Sequence, residues 1–200
     1  MTQSFCLSRR SSGLFLIGVL VLSTPVMGNE IDDFIGQKVI DVELVSEGRR
    51  LDDQSVIELV EIGAGGGSIA RVDEMNRIRV GPRSAGSEPG PACFALGGLD
   101  PTVTDANLML GHLDPEYFGG GKIPLEPSLA KKVIVEKIGE KLELDTNWSS
   151  LGILETVEEN MANATKVHAV ERGRILNKHT MIAFGGGAPL HACRIARKLG

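Results

Sequence analysis

The chain is short of basic charge. Its 200 residues carry 21 Lys and Arg against 26 Asp and Glu, a net charge of −5. A nucleic-acid binder needs clustered cations to neutralise phosphates, so no nucleic-acid partner is expected. Cysteine is also scarce. Cys6, Cys93 and Cys193 form no CxxC pair, which excludes a disulfide framework and a cysteine zinc site. Isolated thiols of this kind are expected to be buried or idle. No metal site is read from the sequence: His112 and Asp114 are near neighbours, but two residues do not make one.

Long apolar runs are missing as well. Residues 14–22 (LFLIGVLVL) fall short of the roughly 20 apolar residues that a membrane helix needs. Arg9 and Arg10 precede this run and small residues follow it near Val26 and Gly28, the pattern of a secretory signal or anchor over residues 1–28. Two other readings stay open: a buried β-strand bounded by Gly and Pro, or a mispredicted gene start. In residues 29–60, VIDVEL (39–44) alternates as a strand would and SVIELV (55–60) reads as another strand or a short helix, with no chemical motif.

Two nucleotide signatures are absent. No Lys-Ser/Thr follows a glycine loop, so there is no Walker A sequence. No glycine triplet of the dinucleotide type opens a helix after residue 61. Glycine itself is abundant, at 25 residues, and it clusters in short patches. Such patches mark tight turns and close backbone approaches. In EIGAGGGSIARVD (61–73), Gly65, Gly66 and Gly67 make a loop before an alternating strand. That loop could close around an anion or simply join two strands.

A Gly/Pro-rich stretch follows, residues 77–98. Arg77 to Val80 reads as a strand, and Pro82, Pro89 and Pro91 oppose regular structure after it. A long loop inside a compact domain is usually functional. Arg83 is its candidate clamp for a carboxylate or phosphate. Asp105 stands before a short apolar helix, Ala106 to Leu110, closed by Gly111. An N-cap role would account for it, beside a catalytic one.

Two amphipathic helices are expected next. Leu129, Val133, Ile134, Ile138 and Leu142 share one face after Pro127. Leu154, Val157, Met161, Ala164 and His168 share another, after a cap region at Trp148 to Ser150. Gly173 is suited to the left-handed cap of that helix. Finally MIAF (181–184) reads as a buried strand. Gly185, Gly186 and Gly187 make a turn, and Pro189 opens a helix through Leu199. Strand, glycine turn and helix N-terminus form an arrangement that meets nucleotide groups closely. His191 lies in the first turn of that helix, where the helix field favours a neutral imidazole.

Five ordered motifs carry a resemblance: GAGGGSIARVD, VGPRSAGSEPGPACF, PTVTDANLMLGHLDPEYF, AVERG and AFGGGAPLHA. Together, over residues 61–200, they resemble the hydantoinase A / 5-oxoprolinase family, which includes N-methylhydantoinase A-like proteins and ketone carboxylase subunits. The resemblance implies an α/β fold of the actin, Hsp70 and sugar-kinase type (ribonuclease H-like). That fold would be partial and incomplete in this chain. It places Gly185, Gly186 and Gly187 beside adenosine, and Gly65, Gly66, Gly67 and Asp105 at a central cleft. The implied function is a fragment of an ATP-dependent hydrolase that opens cyclic amides of the hydantoin or 5-oxoproline type. ATP and Mg²⁺ are the implied cofactors, and a hydantoinase B-type subunit is the implied partner. Alternatives are an ATP-dependent ketone (acetone or acetophenone) carboxylase subunit and an inactive binding or assembly module. The family's acidic-Gly-Gly-Thr phosphate motif is absent, so this chain alone is expected to be inactive. ATP chemistry implies a cytoplasmic location, against the secreted or membrane-anchored location that the signal-like start would give.

Overall fold

The computed structural model describes residues 19–22, 62–183 and 185–200. The segments VIDVEL and SVIELV lie outside the described residues. Strand β1 (Val19–Leu22) falls within the apolar run and pairs antiparallel with a later strand, β4 (Thr180–Ala183). Strands β2 (Ser68–Val72) and β3 (Ile78–Ser84) form a hairpin. The helices are α1 (Val103–Met109), α2 (Pro127–Ile134), α3 (Glu140–Leu142), α4 (Thr146–Glu171) and α5 (Ala188–Leu199).

The hairpin turn is organised by one carboxylate. Asp73 accepts the backbone N–H groups of Met75 and Arg77 and the Nε–H groups of Arg77 and Arg79. The Arg77 N–H and the Arg79 guanidinium hold its carboxyl well below the usual carboxylate range. β3 then runs on through Pro82, where the sequence indicated an end to regular structure. The register explains the difference. Ser68 faces Ser84 while Ala70 faces Val80, so β3 carries extra residues in a bulge around Pro82. A bulge is where a strand tolerates proline, because the ladder needs no donor there. Gly81 takes φ +69 beside it, and a Cβ there would sit 2.6 Å from the Gly63 carbonyl oxygen.

β2 does not alternate as expected, because Ser68, Ile69 and Ala70 are all buried. Its second edge is covered: Ile69 bridges to Thr102, and Ala70 N–H donates to the Pro101 carbonyl at 2.8 Å. The apolar pattern of residues 129–142 lies on one unbroken helical run, but not on a regular α-helix throughout. α2 passes through a π-helical turn (Val135–Gly139) before α3, and Leu144 N–H returns to the Gly139 carbonyl. A Cβ on Gly139 would meet the Leu144 carbonyl at 2.8 Å, so glycine permits that close return.

Helix α4 is the spine. It starts at Thr146, ahead of the cap region expected at Trp148 to Ser150, because Asp145 caps it by accepting the Trp148 N–H. It ends as its sequence indicates, with Gly173 at φ +63. Ile153, Leu154, Val157, Met161 and Ala162 are buried along it, and they pack with Ala70, Val80, Val103, Ala106 and Ile195. One helix therefore packs against α1 and β3, and also against α5. A smaller cluster of Cys93, Leu108, Leu125 and Ala130 lies under the Phe94–Phe118 ring pair. Among the described residues no helix is long and apolar enough to cross a membrane.

Leu154→Ala should lower unfolding free energy by about 2–5 kcal/mol, the usual range for truncating a buried leucine. Val170→Ala, at an exposed position of the same helix, should stay within about 0.5 kcal/mol of the parent. Urea unfolding of both variants checks the contrast.

Candidate functional site

Gly65, Gly66 and Gly67 form a turn into β2 that is closed by its neighbours. Gly65 N–H donates to Ser68 Oγ at 2.9 Å, and its carbonyl accepts Ser68 N–H at 3.0 Å. The Gly66 carbonyl accepts both the N–H and the hydroxyl of Thr104, at 2.8 and 2.9 Å. The Gly67 carbonyl accepts Ala85 N–H at 2.8 Å. Side chains are excluded: a Cβ on Gly66 would lie 2.8 Å from Thr104 Oγ1, and one on Gly67 would lie 2.9 Å from Ser84 Oγ. The turn thus docks between the first turn of α1 and the end of β3.

Asp105 is fully buried in that first turn of α1. It is not the N-cap that the sequence indicated. Thr102 holds that position, and Asp105, three residues later, closes a capping box with it. The carboxylate also reaches across to the loop. Oδ1 accepts Cys93 N–H at 2.8 Å, while Oδ2 accepts Ala92 N–H at 3.3 Å, Thr102 N–H at 2.9 Å and the Thr102 hydroxyl at 2.7 Å. One side chain therefore ties the Pro-rich loop to α1. The Cys93 thiol beside it is buried, and burial followed by the Asp105 charge pushes it far above the ordinary thiol range. That agrees with the inert reading of this cysteine. Cys193 is exposed, and Cys6 lies outside the described residues.

Arg83 is exposed in the β3 bulge. The structure brings the residues next to both candidates, Ser84 and Thr104, onto the same glycine turn. Arg83 itself points to solvent while Asp105 faces inward. His112 Nδ1 lies 2.9 Å from Asn107 Oδ1, at the end of α1. Among the described residues, no group of three or more His, Cys, Asp or Glu side chains could hold a metal ion.

Gly185, Gly186 and Gly187 form the expected turn between β4 and α5, with Pro189 in the helix's first turn. β4 itself is only half-buried, and residue 184 lies outside the described residues. Space around the turn is open. A Cβ on Gly185 or on Gly187 would meet nothing within 4 Å. The amides at the start of a helix of this length point outward and favour negative charge.

One buried group was missed in the sequence. Glu158 sits in the middle of α4, fully buried, inside an acidic run that looks solvated. Its Oε1 lies 3.2 Å from His191 Nδ1, and its Oε2 accepts Arg194 Nε–H at 2.6 Å. With Arg194 donating to Oε2, the His191 tautomer that carries its proton on Nδ1 lets Oε1 accept as well. Glu155 and Glu159 extend the ladder outward to Arg194 and Lys198. Lys198 and then Arg194 hold the Glu155 carboxyl below its ordinary value. The available signal was the match in spacing between Glu155, Glu158 and Glu159 on one helix and His191, Arg194 and Lys198 on the next.

Asp105→Asn should cost about 2–3 kcal/mol, because an amide nitrogen must then face a buried N–H donor. Arg83→Ala, at an exposed position, should change stability by less than about 0.5 kcal/mol. Chemical denaturation of both distinguishes a structural carboxylate from a surface arginine.

Comparison with known proteins gives a consistent picture. A model of the hydantoinase/oxoprolinase family matches residues 34–200, starting upstream of the boundary at Glu61 that the motifs indicated. The gamma subunit of acetophenone carboxylase from Aromatoleum aromaticum is 45% identical over 138 residues, covering 68% of this chain and 19% of that protein. The 5-oxoprolinase PfmaA of Pestalotiopsis fici is 34% identical over 181 residues, covering 84% of this chain and 13% of that protein. The crystal structure of the ATP-dependent caprolactamase from Pseudomonas jessenii is 42% identical with a TM-score of 0.64, over 69% of this chain and 20% of that one. The chain thus spans a fifth or less of the length of these relatives.

Proposed function

Because the chain belongs to the hydantoinase/oxoprolinase family, we propose that it is part of an ATP-dependent enzyme that opens cyclic amides of the hydantoin or 5-oxoproline type. The observation that carries this is the β4–Gly185–Gly186–Gly187–α5 unit. It combines an open approach, no side chains and a helix N-terminus, the conditions for receiving the phosphates or ribose of a nucleotide. The likeness to an ATP-dependent caprolactamase supports the choice of nucleotide. In this reading the fold is the actin, Hsp70 and sugar-kinase type, and this chain supplies a share of it.

When bound, ATP would supply a phosphoryl group to the amide oxygen, with ADP as the leaving group, so that water could open an otherwise poor electrophile. This chain's residues bind and orient. The Gly185–Gly187 turn would seat the nucleotide, and the Gly65–Gly67 turn would contribute a wall of the cleft. Asp105 holds that wall in place, and Arg83 clamps an anionic group of the substrate at its rim. Among the described residues no group of three or more His, Cys, Asp or Glu side chains stands together that would hold Mg²⁺. A hydantoinase B-type subunit completes the site, and the need for ATP sets the protein in the cytoplasm.

A carboxylase reading has its own support in the 45% identity to an acetophenone carboxylase subunit. It differs in substrate, a ketone in place of a cyclic amide. Turnover of 5-oxoproline, hydantoin and acetophenone with a B-type subunit present separates the two. Phosphate release with none of them, by a chain that still binds the subunit, identifies an inactive assembly module.

Gly187→Asp tests the nucleotide seat. Gly187 is the N-cap of α5 with φ −97, and a Cβ fits there. Aspartate is a favoured N-cap, so the fold should keep or gain a few tenths of a kcal/mol. Its charge should nonetheless weaken ATP·Mg²⁺ binding at least tenfold, or about 1.4 kcal/mol, in calorimetry. Unchanged affinity would remove the nucleotide from this turn.

A further inference from the structure

Glu158 is fully buried, yet the proposed chemistry makes no use of it. Burying a carboxylate is unfavourable unless charge and hydrogen bonds compensate it. Both of its compensating partners, His191 and Arg194, come from α5. Arg194 is partly exposed and also serves Glu155 at the rim. His191 is almost wholly buried and stands one turn into α5, directly after the glycine turn. The turn has no side chains of its own to hold it, and nothing lies within 4 Å of where Cβ atoms of Gly185 and Gly187 would be. Its position therefore follows from the helix that it leads. Apolar packing could hold α5 against α4, but a directed hydrogen bond also fixes its rotation and height.

We propose that Glu158 is a positioning residue: through His191 Nδ1–H it fixes the first turn of α5, and so aims the amides of the Gly185–Gly187 turn at the nucleotide. This rests on the nucleotide reading of that turn. The pair acts before any ligand arrives. It reduces the ordering that the turn would otherwise undergo on binding, which is how preorganisation raises affinity.

The test uses the full chain and two readouts, amide hydrogen exchange and ATP·Mg²⁺ calorimetry. His191→Ala should speed exchange at Leu190, whose N–H donates to the Gly187 carbonyl, about tenfold and weaken ATP binding to a similar degree. His191→Asn keeps an N–H donor close to the place of Nδ1, and both readouts should stay within about threefold of the parent. Lys198→Gln removes only the outer pairs to Glu155 and Glu159, leaves Glu158 its partners, and should stay within about twofold on both. If His191→Ala folds poorly, His191→Leu fills the volume without the donor and should show the same two changes. Unchanged exchange and affinity in the Ala or Leu variant would overturn the proposal. So would an Asn variant as damaged as the Ala variant. Wild-type binding that Gly187→Asp abolishes but His191 variants leave alone would overturn the positioning role and keep the nucleotide seat. Exchange that responds as expected in a chain that binds no ATP would overturn the nucleotide reading, and this proposal with it.

Discussion

The described fold depends on the burial of one face of α4. Ile153, Leu154, Val157 and Met161 carry the apolar contact to α1, β3 and α5. Glu158, on the same helix, carries the polar contact to α5. A single rigid helix thus sets where two separate glycine turns can lie. One turn docks against α1, and the other leads into α5. Neither turn has side chains with which to hold its own position: the first is held by Ser68, Thr104 and Ala85, and the second leads into α5, which packs on α4.

The two turns solve opposite problems. In the Gly65–Gly67 turn the carbonyls are already used, by Ser68, Thr104 and Ala85, and a Cβ on Gly66 or Gly67 would come within 3 Å of a neighbouring hydroxyl. Glycine is present there because the space is filled. In the other turn, a Cβ on Gly185 or Gly187 would meet nothing within 4 Å among the described residues. Glycine there keeps a helix N-terminus accessible, as the proposed nucleotide seat requires. Asp105 belongs with the first kind of site. Its four hydrogen bonds bind a Pro-rich loop to α1 and so build the wall around the filled turn.

Much of this was legible in the residues. The period of the apolar positions marked α4, Gly173 marked its end, and Pro189 marked the opening of α5. The family followed from five ordered motifs. What was not legible depended on contacts distant in sequence. Glu158 looks solvated in the run Glu155, Glu158, Glu159 until α5 brings His191 over it. Ser68 to Ala70 cannot read as doubly covered until Thr102 lies along them. Pro82 argues against a strand unless the opposing register leaves room for a bulge. Asp105 looked like a cap because it precedes an apolar stretch, but Thr102 holds the cap because its hydroxyl accepts the Asp105 N–H. In each case local propensity was sound and a partner from elsewhere in the chain decided the outcome.

The central claim is that the open turn, and not the filled one, receives the nucleotide. Amide chemical shifts followed by NMR during titration with ATP·Mg²⁺ test it residue by residue. The account predicts that the largest shifts fall on Gly185, Gly186, Gly187 and Leu190, with those of Gly65 to Ser68 smaller. Shifts confined to Gly65 to Ser68, or none at all in a folded chain, would contradict it.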